Sequence, residues 1–329
     1  MIVRPFDWRD LRYLHRCRLN SVFLDSALVL TRGAHIVSGA LISYLAPGMG
    51  IFTAVSCEAE EKGDPSTGQS VVGQIIHLAG APSAHLTFVT PDRALDLPAL
   101  PALLEYLITI SGERGAFRLL ADVDEQSTVY EVLRRYSFAI YTRQRIWQLN
   151  RQPTATSNSR AWRGATIRDT MAVKLLYNNL VPGLVQQVEP FATNHRPRGV
   201  IHQQGEDLLA YVEIKYGNQG IWVHPFIHPD TQDVAERFID LVQSISKRGE
   251  RPVYICVRSY QAWLEPAIAE MGAEGGPRQA VMVKNLGSLQ KALRAQSVQA
   301  LEGGQPEASA PFARVQKKLE IYGKKQDNR

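Results

Sequence analysis

Apolar positions along this chain switch between two spacings, and the switching recurs. Short runs that are alternately or continuously apolar read as strands; they fall at 51–57, 71–78 and 85–89, then again at 199–204, 208–215 and 220–227. In each set the third run closes on Pro-Asp, as LTFVTPD at 86–92 and as WVHPFIHPD at 222–230. A segment of helical period follows each, ending in ISGERG at 110–115 and ISKRG at 245–249. Next come a short apolar strand (117–123 or 253–257), a second helix, and a closing strand in which Arg143-Gln144 answers Arg278-Gln279. The offset between these landmarks stays within 134 to 138 residues. The beginnings correspond too, RPFDWRD at 4–10 with RGATIRD at 163–169. A recurring order of this kind reads as a tandem duplication.

The second copy predicts a strand at 165–167, helices at 170–180 and 183–188, and three antiparallel strands with Gly205-Glu206-Asp207 as the first turn. A helix at 232–247, a strand at 252–257, a helix at 262–271 and a closing strand near 280–284 complete it. The fold class is therefore α+β: two tandem units, each a mixed, mostly antiparallel sheet with helices on both faces. The polar run at 150–161 marks a linker between an N-terminal unit at 1–149 and a C-terminal unit at 162–287. A second polar run, 58–70, reads as a long exposed loop. Beyond it all, 288–329 is predicted to be a mobile basic tail with a short helix at 289–301.

Charge sharpens this division. The chain of 329 residues carries a net +5, of which residues 288–329 hold +4. The body is nearly neutral, which gives nucleic-acid binding little electrostatic support. Three cysteines, Cys17, Cys57 and Cys256, lie far apart without a paired motif, as expected of free thiols in a cytoplasmic protein. The apolar stretch 22–46 is interrupted by Asp25, Arg32 and His35, so no membrane span is expected. No phosphate-loop, zinc or nucleophile-elbow motif occurs, and His224 and His228, about 13 Å apart on a strand, cannot share one metal ion.

The repeated unit, notably 85–115 with LLADV at 119–123 and VYEVLRRYSF at 129–138, resembles the GNAT acyltransferase superfamily. The resemblance covers 1–149 and 162–284. It implies an N-acyltransferase that moves an acyl group from acetyl-CoA or another acyl-CoA to a small-molecule or peptide amine. It also implies a loop after the fourth strand whose glycines admit backbone N–H groups to a pyrophosphate. The two loops here, TPDRALDLP at 90–98 and HPDTQDVAE at 228–236, contain no glycine. They carry Asp92 and Asp96, or Asp230, Asp233 and Glu236, and Arg93 alone supplies a basic side chain. Cofactor contacts are placed at Val89, Arg93, Ile227 and His228. The family's helical tyrosine, which protonates the departing thiolate, is replaced at its usual spacing by Leu133 and Ile268, leaving Tyr130 one turn earlier. A general base on the central strands would be Glu213 or His224, which makes the C-terminal half the better candidate for activity. Trp222 and Phe226 share the face of His224 by the period-two rule, so the same wall could line a ligand or simply be core. The alternative is a catalytically silent tandem that serves as a binding scaffold. Oligomeric state stays open.

Overall fold

The computed structural model describes residues 2–57, 70–92, 98–150, 162–191, 196–245 and 251–287, all within one compact unit. The loop at 58–69, Arg93 and the basic tail with its expected helix lie outside the described residues.

Each end of the sheet begins with the same local device. In β1 (Ile2–Pro5) and the turn after it, Arg4 grips Asp10 through two hydrogen bonds of 2.6 and 2.7 Å. After β8 (Trp162–Gly164), Arg163 grips Asp169 at 2.8 and 2.9 Å. The carboxylates also accept from the backbone N–H of Asp7 and of Thr166, completing capping boxes. That cap explains one departure from expectation: 165–167 is no strand, because Thr166 and Asp169 close a tight turn and move the strand upstream. Helix α1 (Leu11–Cys17) follows the first turn.

The apolar stretch at 22–46 breaks into β2 (Val22–Phe23), α2 (Ser26–Arg32) and α3 (Ile36–Leu45), with a bend of 103° between the helices. No single helix among the described residues is long and apolar enough to cross a membrane. Strands β3 (Ile51–Cys57), β4 (Val71–Ile76) and β5 (Ser83–Thr90) come next, then α4 (Ala99–Glu113), β6 (Arg118–Asp124), α5 (Thr128–Arg135) and β7 (Ala139–Leu149). Helix α4 buries Leu100, Leu103, Leu104 and Leu107, the spacing of one helical face. After β8 the order is α6 (Thr170–Leu180), α7 (Gly183–Val188), β9 (Gly199–Gln204), β10 (Asp207–Tyr216) and β11 (Ile221–Ile227). It closes with α8 (Val234–Ser244), β12 (Val253–Arg258), a 3-10 turn (Ser259–Leu264), α9 (Glu265–Glu270) and β13 (Glu274–Asn285).

Twelve of the thirteen strands among the described residues form one continuous sheet in the order β1-β3-β4-β5-β6-β13-β7-β12-β11-β10-β9-β8, with β2 added on β5. Read inward from either edge the succession is the same, except that the closing strands have changed places. Strand β13 pairs antiparallel with β6, from Gln279–Asp124 to Asn285–Arg118, while β7 pairs with β12, from Leu149–Val253 to Gln144–Arg258. The sheet thus runs unbroken across both sides of residues 150–161.

Among the described residues every pairing is antiparallel except two. Strands β5 and β6 run parallel from Ser83–Arg118 to His85–Leu120, and β11 and β12 from Ile221–Val253 to Val223–Ile255. Each ladder is three pairs long; beyond it the strands part and leave a gap in the sheet. One sheet face is covered by α4, α5, α8 and α9 over two large cores. The opposite face carries α1 and α3 at one end, and α6 with α7 at the other.

Helix α2 crosses between the ends, packing Ala27 and Leu30 on Trp222, Ile146 and Cys256. Its last carbonyls would be orphaned; Thr31 O instead accepts from the N–H groups of Gln219 (2.9 Å) and Gly220 (3.3 Å) in the β10–β11 turn. A side chain on Gly217 would collide with the Thr31 backbone, whereas one on Gly48 would meet nothing. We expect Gly217→Ala to cost about 1–3 kcal/mol of stability by overpacking this junction, and Gly48→Ala to leave the urea midpoint nearly unchanged.

Candidate functional site

Beyond their three-pair ladder β11 and β12 part, and the candidates His224 and Ile227 lie on that stretch of β11. Ile221 N–H donates across the parallel ladder to Pro252 O, so by period two the N–H and C=O of residues 223, 225 and 227 also point to that side. Pro225 sits where no ladder partner is present; a proline is tolerated there because its missing donor would face the gap. His224 lies one residue beyond the last ladder pair, on the sheet face under α6 and α7. Its side chain is buried, its ring is 4.5 Å from that of Phe226, and its Nε2 has no hydrogen-bond partner in the protein. Burial, followed by the positive charges of Arg258 and Lys215, holds its pKa well below the ordinary histidine value. The imidazole is therefore neutral at neutral pH, suited to orienting a ligand.

Glu213 is the cross-strand partner of His224, so the two side chains share a face. It is half-buried and 3.5 Å from Lys215 Nζ. Trp222 and Phe226 are buried on the same face. Phe226 stacks with Tyr211 at 6.0 Å and packs against Tyr177 at 5.3 Å. Much of this wall is therefore core.

The sequence reading missed the polar cluster beside it. Arg258, the last residue of β12, donates from Nη2 to both oxygens of Glu189, at 2.9 and 3.3 Å. Tyr141 OH donates to the same carboxylate, and Tyr177 OH donates to the Glu189 carbonyl. Arg258 Nε and Nη1 are buried without partners. Burial raises the phenol pKa values of Tyr141, Tyr177 and Tyr260, and pushes the Cys256 thiol up to about 12. All four are protonated at neutral pH. Above the cluster opens a pocket of about 350 Å³ between the start of β7, the start of α7 and the turn after β12, lined by Tyr141, Arg143, Leu184 and Tyr260 among others. Only a lone arginine ending an apolar strand hinted at this cluster, since Glu189 and Tyr141 come from distant segments.

The remaining candidates are dispersed. Ile227 is buried, and its carbonyl, which points into the gap, accepts from Gln261 Nε2 at 2.9 Å. His228 N–H donates to Leu209 O, and its ring lies 3.4 Å from Asp230. Val89 is enclosed between Gly73 of β4 and Val22 of β2. Tyr130 belongs to α5 and packs against the core of the opposite sheet face, under Arg134. The structure brings Glu213 and His224 together and leaves Tyr130 away from them. Among the described residues no group of three His, Cys, Asp or Glu side chains could hold a metal ion.

For an acyl-CoA, the two gaps differ. Across the second, Gln261 Nε2 reaches the Ile227 carbonyl, and its neighbour Tyr260 lines the pocket. The loop that follows, with Asp230 and Asp233 and no glycine or basic side chain, does not suit a pyrophosphate. The first gap does not fit at all, because β2 lies in it: Leu24 N–H donates to Thr87 O, and Asp122 N–H donates to Leu24 O, both at 2.8 Å.

No family model and no curated protein matches the chain. Among solved structures it is similar to a GCN5-related N-acetyltransferase from Sphaerobacter thermophilus, at 11% identity and a TM-score of 0.49, covering 87% of this chain and 95% of that one. It is also similar to a tandem GNAT protein from the clavulanic acid biosynthesis pathway, at 14% identity and a TM-score of 0.48, covering 87% and 98%.

The state of His224 has a measurable consequence. Its folded pKa is depressed, so below the unfolded value near 6.5 the unfolded chain binds a proton that the folded chain refuses. Stability is thus retained above that pH and lost as pH falls through it. Between pH 7 and 5 we expect this group to cost about 2 kcal/mol. In urea titrations at the two pH values, His224→Gln should show a correspondingly smaller drop than the wild type.

Proposed function

We propose that the chain is a tandem GNAT-fold N-acyltransferase whose C-terminal half carries the site, acting from an acyl-CoA on a small-molecule or peptide amine in the cytoplasm. The duplication is supported by the matching strand succession from both sheet edges and by the paired Arg–Asp grips. The observation that carries the choice of half is the contrast between the gaps. The second ends on His224 Nε2 and on Arg258 Nε and Nη1, three buried nitrogens without protein partners, beside an open pocket; the first is filled by the chain itself.

A bound acyl-CoA would supply the activated thioester. The chain's own part is to seat the amine in the pocket against Tyr141 and Tyr260. His224 orients it through a neutral imidazole, and Glu213, on the same face, offers a carboxylate for its proton. Tyr130 has no place in this arrangement. The Arg258–Glu189 pair stiffens the floor, since a buried guanidinium whose Nη2 holds both oxygens of a carboxylate resists displacement.

A second reading, a silent scaffold, is favoured by one contact: Gln261 already satisfies the Ile227 carbonyl that a bound arm would use. Calorimetric titration of acetyl-CoA into the full-length protein separates the two. We expect a dissociation constant on the order of micromolar, tightened severalfold in Asp230→Asn, where loop charge is reduced. No heat up to millimolar ligand, in the wild type and in Gln261→Ala alike, with both shown folded, would leave the scaffold reading standing.

A further inference from the structure

We infer that residues 22–24 are a built-in occupant of the first gap. They take the lane that an extended, amide-bearing ligand would follow along β5, so the chain accepts one such ligand and not two. The inference rests on the acyltransferase reading for the identity of the ligand, but the occupant itself is read from the fold. Strand β2 pairs antiparallel with β5 through Val22–Val89 and Phe23–Phe88. Leu24 then bridges the parted strands, donating to Thr87 O on one side and accepting from Asp122 N–H on the other. It is almost wholly buried within the core formed with α4 and α5.

The ends of the segment are fastened as well. Asn20 O accepts from the N–H of Asp92, and Thr90 Oγ1 donates to the carbonyls of Cys17 and Asn20. On the far side, Asp122 Oδ2 accepts from Ser26 N–H at 3.1 Å, which makes its contact with the segment reciprocal. Ser26 Oγ donates to Gln279 on the exchanged strand β13, and Asp25 caps α2 through Leu28 N–H. Removing Leu24 from the gap would strip partners from the Thr87 carbonyl and the Asp122 amide and uncover an apolar side chain. A buried backbone group left without a partner is costly, so a soluble ligand competes poorly with a strand that is part of the chain. In the second half no strand among the described residues enters the corresponding gap; a single side chain, Gln261, reaches across it.

Two measurements on the full-length wild type test this. Hydrogen–deuterium exchange without ligand should show the amides of Leu24 and Asp122 exchanging at least about 100-fold more slowly than those of exposed turns. Acetyl-CoA titration should then saturate at one equivalent per chain. Fast exchange at these two amides, or saturation at two equivalents, would overturn the proposal. Slow exchange with no binding, in the wild type and in Gln261→Ala alike, would uphold the occupied gap and remove the acyltransferase reading, so the two can fail separately.

Discussion

The structure depends on what becomes of backbone N–H and C=O groups where two parallel strands part. Inside a sheet such groups are paired by the neighbouring strand, and a buried one left without a partner costs about as much as a good hydrogen bond contributes. Each half of this sheet opens at a parallel ladder, after three residue pairs. The two halves meet the same demand differently. The first inserts a piece of its own backbone; the second uses a proline that lacks the donor, and a glutamine amide that reaches the Ile227 carbonyl. A backbone plug held at both ends is hard to displace, whereas a side chain can rotate. The asymmetry between the two gaps follows from that difference in attachment.

Exchange of the closing strands binds the halves more deeply than a linker would. Strand β13 completes the first half's sheet and β7 completes the second's. Side chains from both meet in the seam, where Gln144 donates to Gln279 and Cys256 to Gln144. Helix α2 adds a further tie, with its C-terminal carbonyl satisfied by the β10–β11 turn. The first half therefore supplies a wall of the second half's site: Tyr141 and Arg143 of β7 line the pocket. The closed half has a structural use in building the open one.

Much of the architecture was legible because it rests on local rules. The recurring strand–helix order, the helices Thr170–Leu180 and Gly183–Val188 and the strand Gly199–Gln204 follow from period and punctuation. The turn at Gly205, with its positive φ of 61°, follows from the freedom of glycine. The site was less so: alternation put His224, Trp222 and Phe226 on one face, but the register that sets Glu213 opposite His224, and the meeting of Arg258, Glu189 and Tyr141, come only from the fold. The burial that keeps His224 neutral also comes from helices far away in sequence.

By itself, then, the amino-acid order determined the periods, the caps and the doubled succession of elements, since these depend on neighbours within a few positions. Only the tertiary structure decided that the closing strands trade places and that one gap is filled from within. Pairing between strands more than a hundred residues apart is set by which edges are free and which apolar faces can be buried together. A pattern that is nearly the same in both halves cannot say which strand will take which edge.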